Sequence, residues 1–137
     1  MLGNAIFARL ASVSGVTALV GANPSRIWPG AGPETPARPY LLYNQISSGA
    51  VDTRALRGRA RIFRTLQQID VYADTAAQAD ALAKAVRYAL DGIDEETTWG
   101  GMTIMLSMFD DQFDSGFEPA TNLHRIIQQY RIVYKEA

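Results

Sequence analysis

The stretch from Thr65 to Gly92, TLQQIDVYADTAAQADALAKAVRYALDG, constrains this chain most, because its hydrophobic period changes within a few residues. Gln67, Ile69, Val71 and Ala73 share one side of a period-2 pattern, with Asp70 and Tyr72 on the other. Asp74 or Thr75 then offers a side-chain oxygen to the unpaired N–H groups of a helix start. Beyond it Ala79, Leu82, Ala83, Val86 and Leu90 form one helical stripe, while Gln78, Asp80, Lys84, Arg87 and Asp91 face water. Gly92 can adopt the left-handed conformation that ends a helix. Burying Leu82, Val86 and Leu90 contributes about 1.5–3 kcal/mol each, so this helix is expected to lie flat on a sheet.

The remaining segments extend that unit. Leu2, Ile6, Leu10 and Val13 recur at helical spacing, and Val16 to Val20 adds a turn after the break at Ser14-Gly15. Arg26 to Pro29 is a short extended piece, and Gly30 to Pro39 is an irregular, proline-rich connection. Tyr40 to Ser47 alternates as a strand. Ser48 to Arg61 reads as a long loop or hairpin arm bearing Arg54, Arg57, Arg59 and Arg61, with Arg64 just beyond. Met102 to Phe109 is a strand apolar on both faces, which predicts cover on both or a central place in the sheet. Asp110, Asp111, Asp114 and Glu118 are expected in an acidic loop. Leu123 to Lys135 closes the chain as a strand with Ile126, Tyr130, Ile132 and Tyr134 on one side. At ~3.3 Å per residue that strand outreaches a covering helix of ~1.5 Å per residue, so a neighbour must cover its end or a bulge or bend must shorten it. The fold class is α+β: a mainly antiparallel sheet of about four strands, two principal helices on one face, and a long Arg-rich loop.

Composition narrows the function classes. The chain has 137 residues, 47% apolar and 20% charged, as expected of one globular domain over residues 1–137. A net charge of -1 gives no global case for nucleic-acid binding. The absence of cysteine removes disulfides and thiolate chemistry and fits a reducing cytoplasm. No apolar run approaches the roughly 20 residues of a membrane span, and the N-terminus reads as structure, not as a signal peptide.

Catalytic motifs are missing. There is no phosphate-binding GxxxxGK[ST] loop, no GxGxxG opening a helix, no GxSxG elbow and no HExxH pair. His124, the single histidine, reads as a strand-surface residue. The acids from Asp110 to Glu118 allow a solvated loop or a metal site, but lack the alternating oxygens and terminal glutamate of an EF-hand. The arginines allow three readings: a solvated arm, direct DNA contact, or forks that pair with the acidic stretch of a neighbouring subunit.

Several segments together carry a resemblance. They are Val-Thr-Ala-Leu-Val-Gly closing the N-terminal helices, Arg26-Ile27-Trp28-Pro29, Pro39-Tyr40-Leu41-Leu42-Tyr43, Gln68 to Ala73 with its Ala-rich helix, and Arg131-Ile132-Val133-Tyr134. In this order the chain resembles the tail completion, or tail terminator, proteins of long-tailed bacteriophages and gene transfer agents. The resemblance implies a structural protein, with no catalytic residue, metal or cofactor. It implies a hexameric ring that caps the tail tube, ends its polymerisation and offers the head-tail joining surface. The implied partners are copies of itself, the tail-tube protein and a head-completion protein, with DNA passing through the lumen unread and no membrane involved. Assembly is expected in the host cytoplasm and residence at the head-tail junction. Under this reading Arg54, Arg57, Arg59, Arg61 and Arg64 lie at a subunit interface or the lumen, with Asp110, Asp111, Asp114 and Glu118 as complement. The competing expectations are another head-tail connector, an adaptor or stopper, and a small metal-dependent enzyme using the Asp110–Glu118 acids.

Overall fold

The period change at Asp74 is where a strand hands over to a helix in the computed structural model, which describes residues 2–21, 25–32, 37–50, 62–119 and 123–135. In chain order the elements are α1 (Leu2–Ser12), α2 (Ser14–Val20), β1 (Ile27–Pro29), β2 (Tyr40–Ala50), β3 (Ile62–Ala73), α3 (Ala76–Leu90), β4 (Thr97–Trp99), β5 (Met102–Glu118) and β6 (Leu123–Lys135). Thr75 is the helix cap: its hydroxyl accepts the Gln78 N–H at 3.1 Å. The far end of α3 is closed by other segments. Arg9 Nε donates to the Ala89 carbonyl at 2.9 Å, and the Ser107 hydroxyl donates to Leu90.

The six strands form a mixed half-barrel sheet in the order β1-β2-β3-β6-β5-β4, in which only β1–β2 is parallel. The α+β class is as expected, but the described residues form six strands and three helices where about four strands and two principal helices are anticipated. The additions are short pieces at the sheet margins and a second N-terminal helix bent 88° from the first. Strand β4 turns into β5 through Gly100 and Gly101, at φ of 55° and 84°. Positive φ at both central residues is what a tight hairpin of matching twist requires, and glycine adopts it without strain.

All three helices cover one face. Strand pairing aligns rows across the sheet, and alternate rows point to that face: Leu41–Val71–Ile126, Tyr43–Ile69–Gln128, Gln45–Gln67–Tyr130 and Thr65–Ile132–Ser107. Onto them pack Ile6 and Leu10 of α1, Val16 and Val20 of α2, and Leu82, Val86 and Leu90 of α3, all fully buried. The expected overhang of β6 does not occur. Leu123, Ile126, Tyr130, Ile132 and Tyr134 are buried within the chain along its whole length, and Phe63 stacks on Tyr134. Helix α3 packs on β6, and the ring of Phe63 on β3 extends the cover to Tyr134.

Strand β5 carries the main correction. Asp110, Asp111, Asp114 and Glu118 were expected in a loop, yet they belong to a 17-residue strand that pairs with β6 to its end. Register shifts at Ile104/Leu106, Phe109/Asp111 and Asp114/Gly116 interrupt the alternation that would have announced a strand. In β2, Ser48 to Ala50 continue the strand instead of entering the arm. Residues 51–61, including Arg54, Arg57, Arg59 and Arg61, lie outside the described residues.

Candidate functional site

The rows facing away from the helices are Tyr40–Tyr72–Arg125–Gly116, Leu42–Asp70–Ile127–Phe113, Asn44–Gln68–Gln129–Asp111, Ser47–Leu66–Arg131–Met108 and Gly49–Arg64–Val133–Leu106. No described element is layered on them, and the two ends differ in kind.

At the end where β3 finishes, the face is sealed by its own side chains. Trp28, Tyr40 and Tyr72 form a ladder of rings, with centroids 5.8 and 4.9 Å apart. The Arg125 guanidinium lies over the Tyr72 ring and pairs with buried Asp70 at 2.9 Å, while Gln68 Nε2 donates to the other Asp70 oxygen. Burial would penalise the Asp70 charge, and these two partners offset it.

At the end where β3 begins, the face is open. Leu66, Leu106 and Val133 floor a groove of about 500 Å³, bordered by Ser47, Ser48 and Gly49 on β2 and by Arg64, Arg131 and Asp110. Arg131 is engaged with Asp110 at 2.9 Å. Arg64 is exposed and has no ion pair among the described residues. Along the neighbouring β5 edge, Met108 and Phe113 are each 48% exposed on this face. Apolar side chains of this size on one uncovered sheet face mark a contact surface.

The β5 edge itself is blunted. Strand β4 pairs only with Met102 to Ile104, and among the described residues no strand pairs with the outer side of β5 beyond the Ile93–Ser107 bridge. Asp91 accepts the Phe109 N–H, Asp111 accepts the Gln112 N–H and Asp114 accepts the Gly116 N–H, each at 2.8 Å. Two of these lie at bulges. Bulges, charge and self-capped donors are how an edge is kept from pairing with another chain's backbone.

These positions answer the alternatives raised by the acids. They are spread over roughly 25 Å of strand, one is held by Arg131, and two cap their own backbone. Among the described residues no group of three or more His, Asp or Glu is placed to hold a metal ion. His124 lies half-buried on the strand, edge-on to Phe117 with centroids 5.3 Å apart. Of the five arginines expected at an interface, Arg64 alone is described, and it stands at the groove. Sequence reasoning did not single out Leu66, Leu106, Val133 or Phe113. Its one signal was the two-sided apolar character of Met102–Phe109, which needs cover that the described residues supply on a single face.

Deep in the covered face, α3 is tied to the sheet by a polar knot. Gln128 is fully buried and donates to the Ala83 carbonyl at 2.9 Å and to Gln112 at 3.0 Å, while accepting from the Tyr130 hydroxyl at 2.9 Å. Burial pushes the Tyr130 hydroxyl far above its ordinary pKa, and raises that of Tyr43. The knot positions β5 against the helix layer at Gln112, between the exposed Asp111 and Phe113.

Among the described residues no single helix is long and apolar enough to cross a membrane. No curated protein matches the sequence. Solved structures do. A chain from the virion of a native gene transfer agent particle superposes with a TM-score of 0.70 at 22% identity, covering 95% of this chain and 91% of that one. A second solved chain gives a TM-score of 0.55 at 17% identity, covering 96% and 93%. At such identities these likenesses speak for the fold. The family assignment comes from the sequence: the pattern of the tail completion protein gp17 family matches residues 4–135, and this chain is a member of that family, a structural protein of tail assembly and not an enzyme.

Proposed function

We propose that the protein closes into a ring on the end of a tail tube, stops further tube addition and presents the surface to which the head is joined. The observation that carries this reading is the sheet's second face. Leu66, Leu106, Met108, Val133 and Phe113 are arranged on it, and no described part of the chain covers them. A face of this kind beside a blunted edge suits side-chain docking between preformed subunits and resists uncontrolled strand addition. The partners in this reading are further copies of the chain, the tube protein and a head-completion protein. Assembly takes place in the host cytoplasm, and DNA passes through the lumen without sequence reading. The Arg-bearing stretch that includes Arg54, Arg57, Arg59, Arg61 and Arg64 faces a neighbouring subunit or the lumen.

The test is electron microscopy of particles made without this protein. Overlong tubes of variable length are expected. Tails of normal length lying beside unattached heads would instead assign it an adaptor or stopper role.

A further inference from the structure

We propose that the groove floored by Leu66, Leu106 and Val133 receives Phe113 from the β5 edge of a second copy, with Arg64 of the first copy set against Asp111 of the second. The inference rests on the ring reading above and names the contact that would build the ring.

Four observations converge on it. The groove has an apolar floor and about 500 Å³, ample room for a phenyl ring. Among the described residues its unengaged cation is Arg64, because Arg131 is already paired with Asp110. The offered edge carries the opposite charge: Asp111 is exposed and spends one carboxylate oxygen on its own turn, so the other can accept a guanidinium N–H. Finally, the edge is closed to backbone pairing by its bulges and caps, so its side chains must make the contact. A second copy laid flat, strand to strand, is therefore disfavoured, and an edge lapped over the next copy's open face is favoured. The groove and Phe113 are different patches of one subunit's open face, three rows apart along β6, so the contact joins unlike patches. Such a head-to-tail contact generates closed rings when its rotation closes. The pairing of Arg64 with Asp111 sets the register along the strand, and Phe113 supplies the buried anchor.

Because the chain contains no cysteine, the contact can be read by site-specific crosslinking. Ser47 lies exposed at the groove border and Ser115 lies exposed beside Phe113. Tagged Ser47→Cys protein and untagged Ser115→Cys protein are mixed, assembled with tube protein and treated with a short bismaleimide. Ring fractions should contain mixed crosslinks at least about tenfold above either like pair. Arg64→Glu in the Ser47→Cys copy should lower them by about tenfold, and Asp111→Arg in the other copy should restore them. Folding of each variant is checked by circular dichroism and its urea midpoint. If rings are seen and mixed crosslinks do not exceed like pairs, the groove contact is wrong while the ring stands. If folded protein never forms rings with tube protein, both readings fall together.

Discussion

Gln128 occupies a position in β6 where the flanking pattern, Ile126 before it and Tyr130 after it, asks for an apolar side chain. Its amide is satisfied on both atoms, so burial costs little, and the knot it forms binds α3, β5 and β6 in one register. Tyr130→Phe removes the donor to the Gln128 carbonyl oxygen and should cost about 1–3 kcal/mol at neutral pH, read from urea midpoints. The same residue has a pH signature. The folded-state pKa of Tyr130 is raised above the ordinary value of 10, as is that of Tyr43, so the unfolded chain gives up these protons first. Their contribution is fully present below about pH 10 and declines as pH rises beyond it, by up to about 1.4 kcal/mol per pH unit for Tyr130. Tyr130→Phe should flatten the fall in urea midpoint above pH 10. A profile identical to that of the parent would show that this hydroxyl ionises freely in the fold.

The elements differ in how openly the chain declares them. Strand β3 and α3 obey their periods residue by residue, and the cap is made by one hydroxyl. Thr75→Ala should cost about 1 kcal/mol of stability without altering the fold, as measured by a shift in the thermal midpoint at unchanged helical circular dichroism. Strand β5 hides itself. At Asp110-Asp111 and again at Ser115-Gly116, residues typical of turns interrupt the alternation, because each break absorbs an extra residue of a bulge. That is why the acids suggested a loop. The same carboxylates guard the edge, which leads to a second expectation at this scale. Replacing Asp111 and Asp114 together by Ala should leave the chain folded and yet more prone to association, seen as faster growth of light scattering at equal concentration. Unchanged scattering would mean that the bulges alone suffice to protect it.

For the molecule as a whole, one sheet face is spent on the chain's own core and the other is half sealed and half open. Substituting Phe113 by Asp adds charge to a side chain already about half exposed, so the free subunit should keep its stability to within about 0.5 kcal/mol. Ring assembly should be lost, as scored by electron microscopy and by mass photometry with tube protein. Loss of stability without loss of assembly would reverse the roles assigned to the two faces. The family resemblance was legible because it lies in the ordered motifs of the whole chain. The groove was not, because Ser47, Arg64, Leu66, Leu106 and Val133 come from four strands that only the pairing brings side by side.

By itself the sequence determined the local units: the strand and helix around Asp74, the N-terminal helix, the closing strand and membership of a structural family. Those follow from hydrophobic period, capping residues and ordered motifs, all of which act over short range. Tertiary structure alone decided which face of the sheet the helices would cover, where β5 would bulge, and that the residues left over would form an apolar groove beside the exposed Arg64. Strand order and register place residues more than 60 positions apart in contact, such as Arg64 and Val133, and no short-range pattern in a single chain encodes that neighbourhood.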